Sequence, residues 1–489
     1  MKLIIVSNRL PITLMEESGT TVVKTSGGGL ASAINSFTAQ NNDLSTDFVW
    51  IGWPGNSKPF KDRVAAVKRI KEFKAHPVFL TQAEVGKFYL GFCNKTIWPL
   101  FHDFTNFTEI NTEFWECYLA TNQKFADQVT KIAKPGDTVW VHDYHLMLLP
   151  EMLKKARPDL KVGFFLHIPF PRYEIFRMLP YNIQLSILKG LLGADLVGFQ
   201  TKKYTQNFIN SAAKILGFSD INNKIKQGSH VSAIGTYPIQ IDYNRFAETA
   251  KSTEVKTEIA NFSKELSSEK IILSIDRLDY SKGVVNRLMA FEKFLQNNPN
   301  WLGRVKLALV VVPSREEIDK YAQTKEKIEE LVSKINTNFG RQNWQPIWYQ
   351  YTSYSLEPLV ALYNLADVAL VTPFRDGMNL IAKEYIASKN DNHGVLVLSS
   401  KAGAAEELTQ AISINPRNIE EISLAIKRGL EMPKTEQKAR MINMKRHLRQ
   451  NQVVEWAESM LRDTQVTSAY EKAGEATTNY EPEFKYLEQ

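Results

Sequence analysis

The chain carries nine short runs that are almost continuously apolar, and these limit its fold more than any other feature. They are LIIV (3–6), FVWIGW (48–53), VWV (139–141), VGFFLHI (162–168), DLVGF (195–199), IILSI (271–275), KLALVVV (306–312), DVALVT (367–372) and GVLVL (394–398). A half-exposed antiparallel strand alternates apolar with polar residues. A run apolar on both faces belongs to a parallel strand covered on each side. Amphipathic helical stretches separate the runs. After Pro313, Ser314-x-x-Glu317 reads as a capping box ahead of a long charged helix. This alternation predicts an α/β chain built of doubly wound, parallel-sheet (Rossmann-like) domains.

A length of 489 residues exceeds what one core holds, so two such domains are expected. TYPIQID (236–242) closes a strand-like run, and the Lys/Glu-rich stretch 250–269 precedes IILSI, where the βαβ rhythm restarts. The predicted domains are 1–242 and 243–465, with the last helix of the second free to pack back on the first. The polar tail, 466–489, is expected to be mobile. Ligands of doubly wound sheets bind at the carboxyl ends of the strands, so two facing domains would form a cleft.

The charge balance excludes little but points somewhere. Sixty Lys and Arg against 53 Asp and Glu give a net +7, scattered rather than massed. That argues against nucleic acid and suits anionic small substrates. Cys93 and Cys117 form no CxxC pair and read as thiols of a reducing compartment. No Cys/His cluster has metal-site spacing, so neither a metal nor a cofactor is expected. MKLIIVSN reads as a strand rather than a signal peptide, and runs such as Leu307–Val312 are too short to span a membrane. The expectation is a cytoplasmic protein; self-association into a homo-oligomer is left open.

Polar residues gather just past the predicted strand ends. Ser7-Asn8-Arg9 follows LIIV, and Ser26-Gly27-Gly28-Gly29-Leu30 opens a helix whose amides suit a phosphate, or is a flexible turn. No G-x-G-x-x-G or P-loop pattern occurs, which argues against a dehydrogenase or an NTPase. His142-Asp143-Tyr144-His145 follows VWV, and His167 follows GFFL. A strand-end Asp can accept sugar hydroxyls, whereas a strand-end His more often serves a structural partner. Asp276-Arg277-Leu278-Asp279-Tyr280-Ser281-Lys282-Gly283 follows IILSI; its Arg and Lys can straddle a diphosphate or form surface salt bridges. Arg375-Asp376-Gly377-Met378-Asn379-Leu380 follows DVALVT and opens a helix, with Glu384 about two turns in, where a carboxylate suits ribose hydroxyls.

These segments resemble trehalose-6-phosphate synthases, retaining glycosyltransferases of family 20. NRLP (8–11), GGL (28–30), WPLFH (98–102), VHDYHLMLLP (141–150), HIPFP (167–171), EIFRMLP (174–180), LLGADLVGFQT (191–201), RLDYSKG (277–283), VPSR (312–315) and RDGMNLIAKEY (375–385) match in order. With no phosphatase-like segment after them, the resemblance is to the single-activity form. It implies a two-domain GT-B fold and transfer of glucose from UDP-glucose to glucose 6-phosphate, giving trehalose 6-phosphate. It also implies donor contacts at Gly28, Gly29, Arg277, Lys282, Asp376, Gly377, Met378, Asn379, Leu380 and Glu384. Acceptor contacts are implied at Arg9, Tyr89, Trp98, Asp143 and Arg315, with His167, Asp143, Arg277 and Lys282 as the catalytic set.

Two positions depart from the family pattern. Gln240 in Pro238-Ile239-Gln240-Ile241 stands where a glycine is usual, and strain is expected if that position needs φ > 0. Arg172-Tyr173 replaces small residues and adds charge near the expected cleft. The competing readings are the same chemistry on glycerol 3-phosphate and a non-catalytic sugar-phosphate-binding regulator. Tyr89 with Trp98 suits a ring-sized acceptor, and the presence of Arg277, Lys282, Asp376 and Glu384 together suits catalysis.

Overall fold

The computed structural model of the chain describes residues 2–17, 20–25, 33–34, 36–38, 48–55, 63–218, 223–227 and 230–472. The chain divides into one unit of Met1–Ile239 with Val453–Gln489 and another of Gln240–Gln452. The division between Ile239 and Gln240 lies close to the boundary of 242 expected from the sequence. The helix Val453–Lys472 belongs with the first unit, the packing that the sequence left open for the last helix, and runs past residue 466, where the tail is expected to start. Residues 473–489 lie outside those described.

The first unit is built on β1 (Leu3–Arg9), a hairpin of β2 (Ile12–Glu17) and β3 (Thr20–Thr25), β4 (Phe48–Trp53), β5 (Ala75–Pro77), β6 (Thr138–His142), β7 (Lys161–Leu166), β8 (Leu196–Phe199), β9 (Lys224–Gln227) and β10 (His230–Thr236). Eight of these form a sheet in the order β5-β4-β1-β6-β7-β8-β10-β9, parallel except where β9 turns back along β10. All five apolar runs predicted for this half fall on its strands. The order reverses between β1 and β6, so Arg9 and Asp143 leave neighbouring strand ends at the switch point.

Glycines in two strands let the last helix lie close. A Cβ at Gly163 would stand 2.7 Å from Thr464 Oγ1, and one at Gly198 would stand 2.7 Å from Met460 Sδ. Trp456, 5% exposed, packs between Trp140 (5.1 Å) and Phe165 (5.3 Å), and its indole N–H donates to the Tyr237 carbonyl at 3.2 Å. The Tyr237 hydroxyl donates in turn to Asp463 at 2.7 Å.

The second unit holds β11 (Lys270–Arg277), β12 (Val305–Val312), β13 (Ile347–Tyr351), β14 (Val368–Val371), β15 (Val395–Ser399) and β16 (Ile412–Ile414). Its sheet is wholly parallel in the order β13-β12-β11-β14-β15-β16, a doubly wound arrangement that reverses between β11 and β14. The capping box expected at Ser314 does not form. The helix starts at Asp319 behind Ile318, with no side-chain cap, because Arg315 takes a left-handed φ of 52° and the chain turns before it winds. Gln240 is not among the non-glycine residues of positive φ, so the strain considered for it is absent.

Truncating Trp456 to alanine removes the largest side chain by which the last helix is anchored. Trp456→Ala is expected to cost about 3–5 kcal/mol of stability. Urea unfolding followed by circular dichroism checks this, and an unchanged midpoint would contradict the packing described.

Candidate functional site

The switch point of the second sheet is where two of the sequence clusters meet. The β11–β14 ladder pairs Ile272 with Val368 and Leu273 with Ala369. Beyond those pairs the fully buried Arg287 bonds to β11, to Thr372 just past the end of β14 and to the loop. Its guanidinium donates to Ser274 Oγ, to Asp276 Oδ2 (2.8 Å), to Thr372 Oγ1 (2.9 Å) and to the Lys282 carbonyl (3.1 Å). Gly283 follows with φ 69°, and a Cβ there would stand 2.5 Å from the Thr372 carbonyl oxygen, so only glycine lets the loop pass.

Held this way, Lys282 Nζ meets Asp376 Oδ2 at 2.6 Å, with side chains 9% and 14% exposed. Asn379 donates to the same oxygen at 3.0 Å. Asn379 itself, at φ 76°, caps the Leu380–Ser388 helix by accepting from the Ala382 amide at 3.3 Å. Gly377 and Met378 are buried beneath Gly403 and Ala404, and the Ala404 amide donates to the Met378 carbonyl at 2.8 Å. Lys282, Asp376, Gly377, Met378, Asn379 and Leu380 are therefore brought together, with Leu380 starting a helix whose positive end faces the cluster. Arg277 is exposed at the end of β11.

Glu384 and Arg315 have partners that spacing did not suggest. Glu384 lies just over one turn into its helix, not two, and its Oε2 accepts from the Tyr363 hydroxyl at 2.8 Å. Burial raises its carboxyl pKa, while the phenol and the charge of Arg245 pull it back. Arg315 Nη1 donates to the Tyr321 hydroxyl at 2.8 Å and lies 3.8 Å from Asp279 Oδ2, with the side chain 7% exposed.

In the first unit Asp143 takes φ 76°, a strained value for a residue with a side chain. Its amide donates to the Phe165 carbonyl at 2.8 Å, and its Oδ1 accepts from the His167 amide at 3.2 Å. Two strand ends thus lock the turn. His167 Nε2 stands 3.1 Å from His142 Nδ1. Burial holds His167 down at about 3 and His142 well below the ordinary value, so both rings are neutral near pH 7.

Aromatic rings surround the acceptor candidates. The Arg9 guanidinium lies 4.6 Å over Trp53, whose ring is 5.8 Å from Tyr89. Tyr89, on a π-helical segment Val85–Ile97, stacks on His145 at 5.9 Å. Trp98 is buried and stacks on His102 at 4.1 Å, so in this structure it presents little surface to a sugar. Gly28 and Gly29 lie outside the described residues. Arg172 is exposed, and Tyr173 lies beneath Lys214 (4.5 Å) and Arg177 (5.8 Å).

Because His142 and His167 are neutral when folded but titrate near 6.5 when unfolded, the unfolded chain binds more protons below that pH. Stability should therefore fall as the pH drops from about 6.5 toward 3. His167→Asn should make stability less dependent on pH between about 6.5 and 5. Denaturant midpoints across that interval check this; an equal slope in the variant contradicts it.

The family profile of glycosyltransferase family 20 matches residues 1–466. The bifunctional trehalose-6-phosphate synthase/phosphatase of Thermoproteus tenax is 44% identical over 460 residues, covering 93% of this chain; the chain spans only 62% of that relative. The UDP-forming alpha,alpha-trehalose-phosphate synthase of Schizosaccharomyces pombe is 40% identical over 484 residues, covering 98% of this chain and 93% of the relative. Among solved structures, the UDP-forming alpha,alpha-trehalose-phosphate synthase of Burkholderia xenovorans, in complex with glucose 6-phosphate, superposes with a TM-score of 0.85 at 32% identity. It is covered in full by 95% of this chain. With two parallel-sheet units of the GT-B kind and a profile matched from the first residue to 466, the chain belongs to glycosyltransferase family 20.

Proposed function

We propose that the protein transfers glucose from UDP-glucose to glucose 6-phosphate, releasing UDP and trehalose 6-phosphate. The observation that carries this is the likeness, over 98% of the chain, to a UDP-forming synthase. The cluster at the β11–β14 switch point supports it chemically. Arg277 and Lys282 would take the donor diphosphate beside the helix opening at Leu380, stabilising charge as it develops on the leaving group. Asp376 would accept hydroxyls of the donor sugar, and Glu384 those of the ribose. For this, Lys282 must exchange part of its bond to Asp376 for a phosphate oxygen, a trade between two anions within its reach.

In the first unit Asp143 would orient the acceptor, with its carboxylate already aimed by the His167 amide. His167, neutral throughout the physiological range, would serve as a hydrogen-bonding group and not as a charged acid. Transfer with retention follows if the acceptor oxygen attacks from the leaving-group side. The bond from sugar carbon to diphosphate oxygen breaks, the new glycosidic bond forms, and the acceptor proton passes to the departing phosphate. Arg9 would take the acceptor phosphate, with Tyr89 near the sugar; Arg315 is assigned to acceptor binding by the resemblance alone.

Incubation with glucose 6-phosphate and each nucleotide-glucose in turn, with the product identified by mass, tests the reaction. A disaccharide phosphate formed best with UDP-glucose is expected; product formed on glycerol 3-phosphate instead would overturn the acceptor.

Glu384→Gln should raise the donor KM more than it lowers kcat, because the ribose is held alike in ground and transition states. The loss of a charged hydrogen-bonding partner corresponds to a rise of roughly 10- to 150-fold. Equal UDP affinity in calorimetry would remove Glu384 from the site. Arg315→Ala should raise the glucose 6-phosphate KM over the same range of roughly 10- to 150-fold, with little change in donor KM. Its thermal midpoint is measured alongside, since Asp279 and Tyr321 lose their partner. An unchanged acceptor KM in folded protein contradicts the assignment.

A further inference from the structure

We infer that Tyr363 is the positioning residue for Glu384, fixing the carboxylate in the orientation from which it receives the ribose of the donor nucleotide. This rests on the donor reading given above. Tyr363 sits on the helix Leu356–Leu365 with only 1% of its surface exposed. A nucleotide meeting the partly exposed Glu384 does not reach a phenol buried this deeply, so Tyr363 acts through the carboxylate. Its hydroxyl donates to Oε2 at 2.8 Å, and its ring meets that of Tyr385 edge-on, with centroids 6.4 Å apart at 74°. One side chain thus reads two successive residues of the Leu380–Ser388 helix: ring against 385, hydroxyl against 384.

The residue before them is held as firmly from another direction. Lys383, fully buried, donates to Gln240 Oε1 and to both oxygens of Glu407, each at 2.9 Å. Successive residues of a helix point about 100° apart. With 383 fixed in one direction and 385 in another, the helix cannot turn about its axis, and only the three side-chain torsions of Glu384 remain free. The phenol removes that freedom. A carboxylate has about four lone-pair sites, and Tyr363 occupies one, leaving the others for two ribose hydroxyls. Without the phenol, the side chain would have to be ordered at the moment of binding, which weakens a ligand by several-fold.

The test is calorimetric titration with UDP on the parent, Tyr363→Phe, Glu384→Gln and the double variant, with steady-state kinetics on each. Phenylalanine keeps the ring against Tyr385, so the fold is retained. Tyr363→Phe should weaken UDP roughly 3- to 10-fold and raise the donor KM to match, with kcat and the glucose 6-phosphate KM within about 2-fold of the parent. In the Glu384→Gln background the same change should alter UDP affinity by less than about 2-fold, because the group it orients is gone.

Equal, multiplicative effects in both backgrounds would show a role independent of Glu384 and overturn the inference. So would parental UDP affinity in Tyr363→Phe, or a parallel rise in both KM values, which marks a general loss of packing. The donor reading fails separately: a parent that binds no UDP, or a Glu384→Gln variant with parental affinity, removes that reading and the role of Tyr363 with it.

Discussion

The second unit depends on one guanidinium. Strands β11 and β14 pair over only two residues, and past that point an open seam in a parallel sheet would leave strand-end polar groups buried without partners. Arg287 closes it from a helix, bonding to two side chains of β11, to Thr372 just past the end of β14 and to the carbonyl of Lys282. Burial raises the Asp276 carboxyl, and the charges of Arg287 and Lys282 oppose that rise. Breaking a buried pair of this kind by removing one partner costs about 3–5 kcal/mol. The arrangement at the switch point follows from it in steps. A fixed Lys282 carbonyl fixes the loop, the loop directs the lysine amine to Asp376, and Asp376 receives Asn379, which caps the next helix.

A second buried network gives Gln240 its reason. A glutamine where the family pattern expects glycine suggests a strained backbone, but its φ is ordinary and its amide is employed at both ends. It accepts from Lys383 and donates to Glu407, each at 2.9 Å. Burial alone would raise the Glu407 carboxyl, yet Lys383, His447 and Gln240 hold it at about 2. The substitution exchanges conformational freedom at the start of the second unit for a bonded side chain tied to the helix that carries Glu384.

What could be read from the sequence was what period and local spacing encode. Every strand with apolar residues on both faces was visible, and with them the parallel α/β class. The strands that escaped are mostly at the margins: Ala75–Pro77, Lys224–Gln227, Ile412–Ile414, the largely half-buried IWYQY of β13 and the two-stranded hairpin, with the half-buried His230–Thr236 inside the first sheet. Edge strands are short or covered on one face, so they lack the double-sided signal. Lys282, Asp376 and Asn379 were legible because each closes a strand or opens a helix in its own motif. Tyr363, Arg287, Tyr321 and the Gln240–Lys383–Glu407 network were not, since their partners lie on other elements and leave no spacing to read. The capping box at Ser314 failed for a tertiary reason: Arg315 turns inward to Tyr321 and Asp279, and the backbone bends to let it.

The division of the chain has a consequence for the order in which it is assembled. Gln240–Gln452 is an insertion in the first unit, which is begun at one end of the chain and finished at the other. On the ribosome, the first sheet emerges long before the helix that covers it. Until residues 453–472 are made, the surface of β7, β8 and β10 that receives them is bare, including the groove between Trp140 and Phe165 that Trp456 fills. The inserted unit has no such debt, because its sheet and helices are contiguous and can close as they appear. A nascent chain would therefore carry a finished second unit attached to an unfinished first one. The interval before the last helix arrives is the time at which this protein exposes most apolar surface and most needs to be kept from other chains.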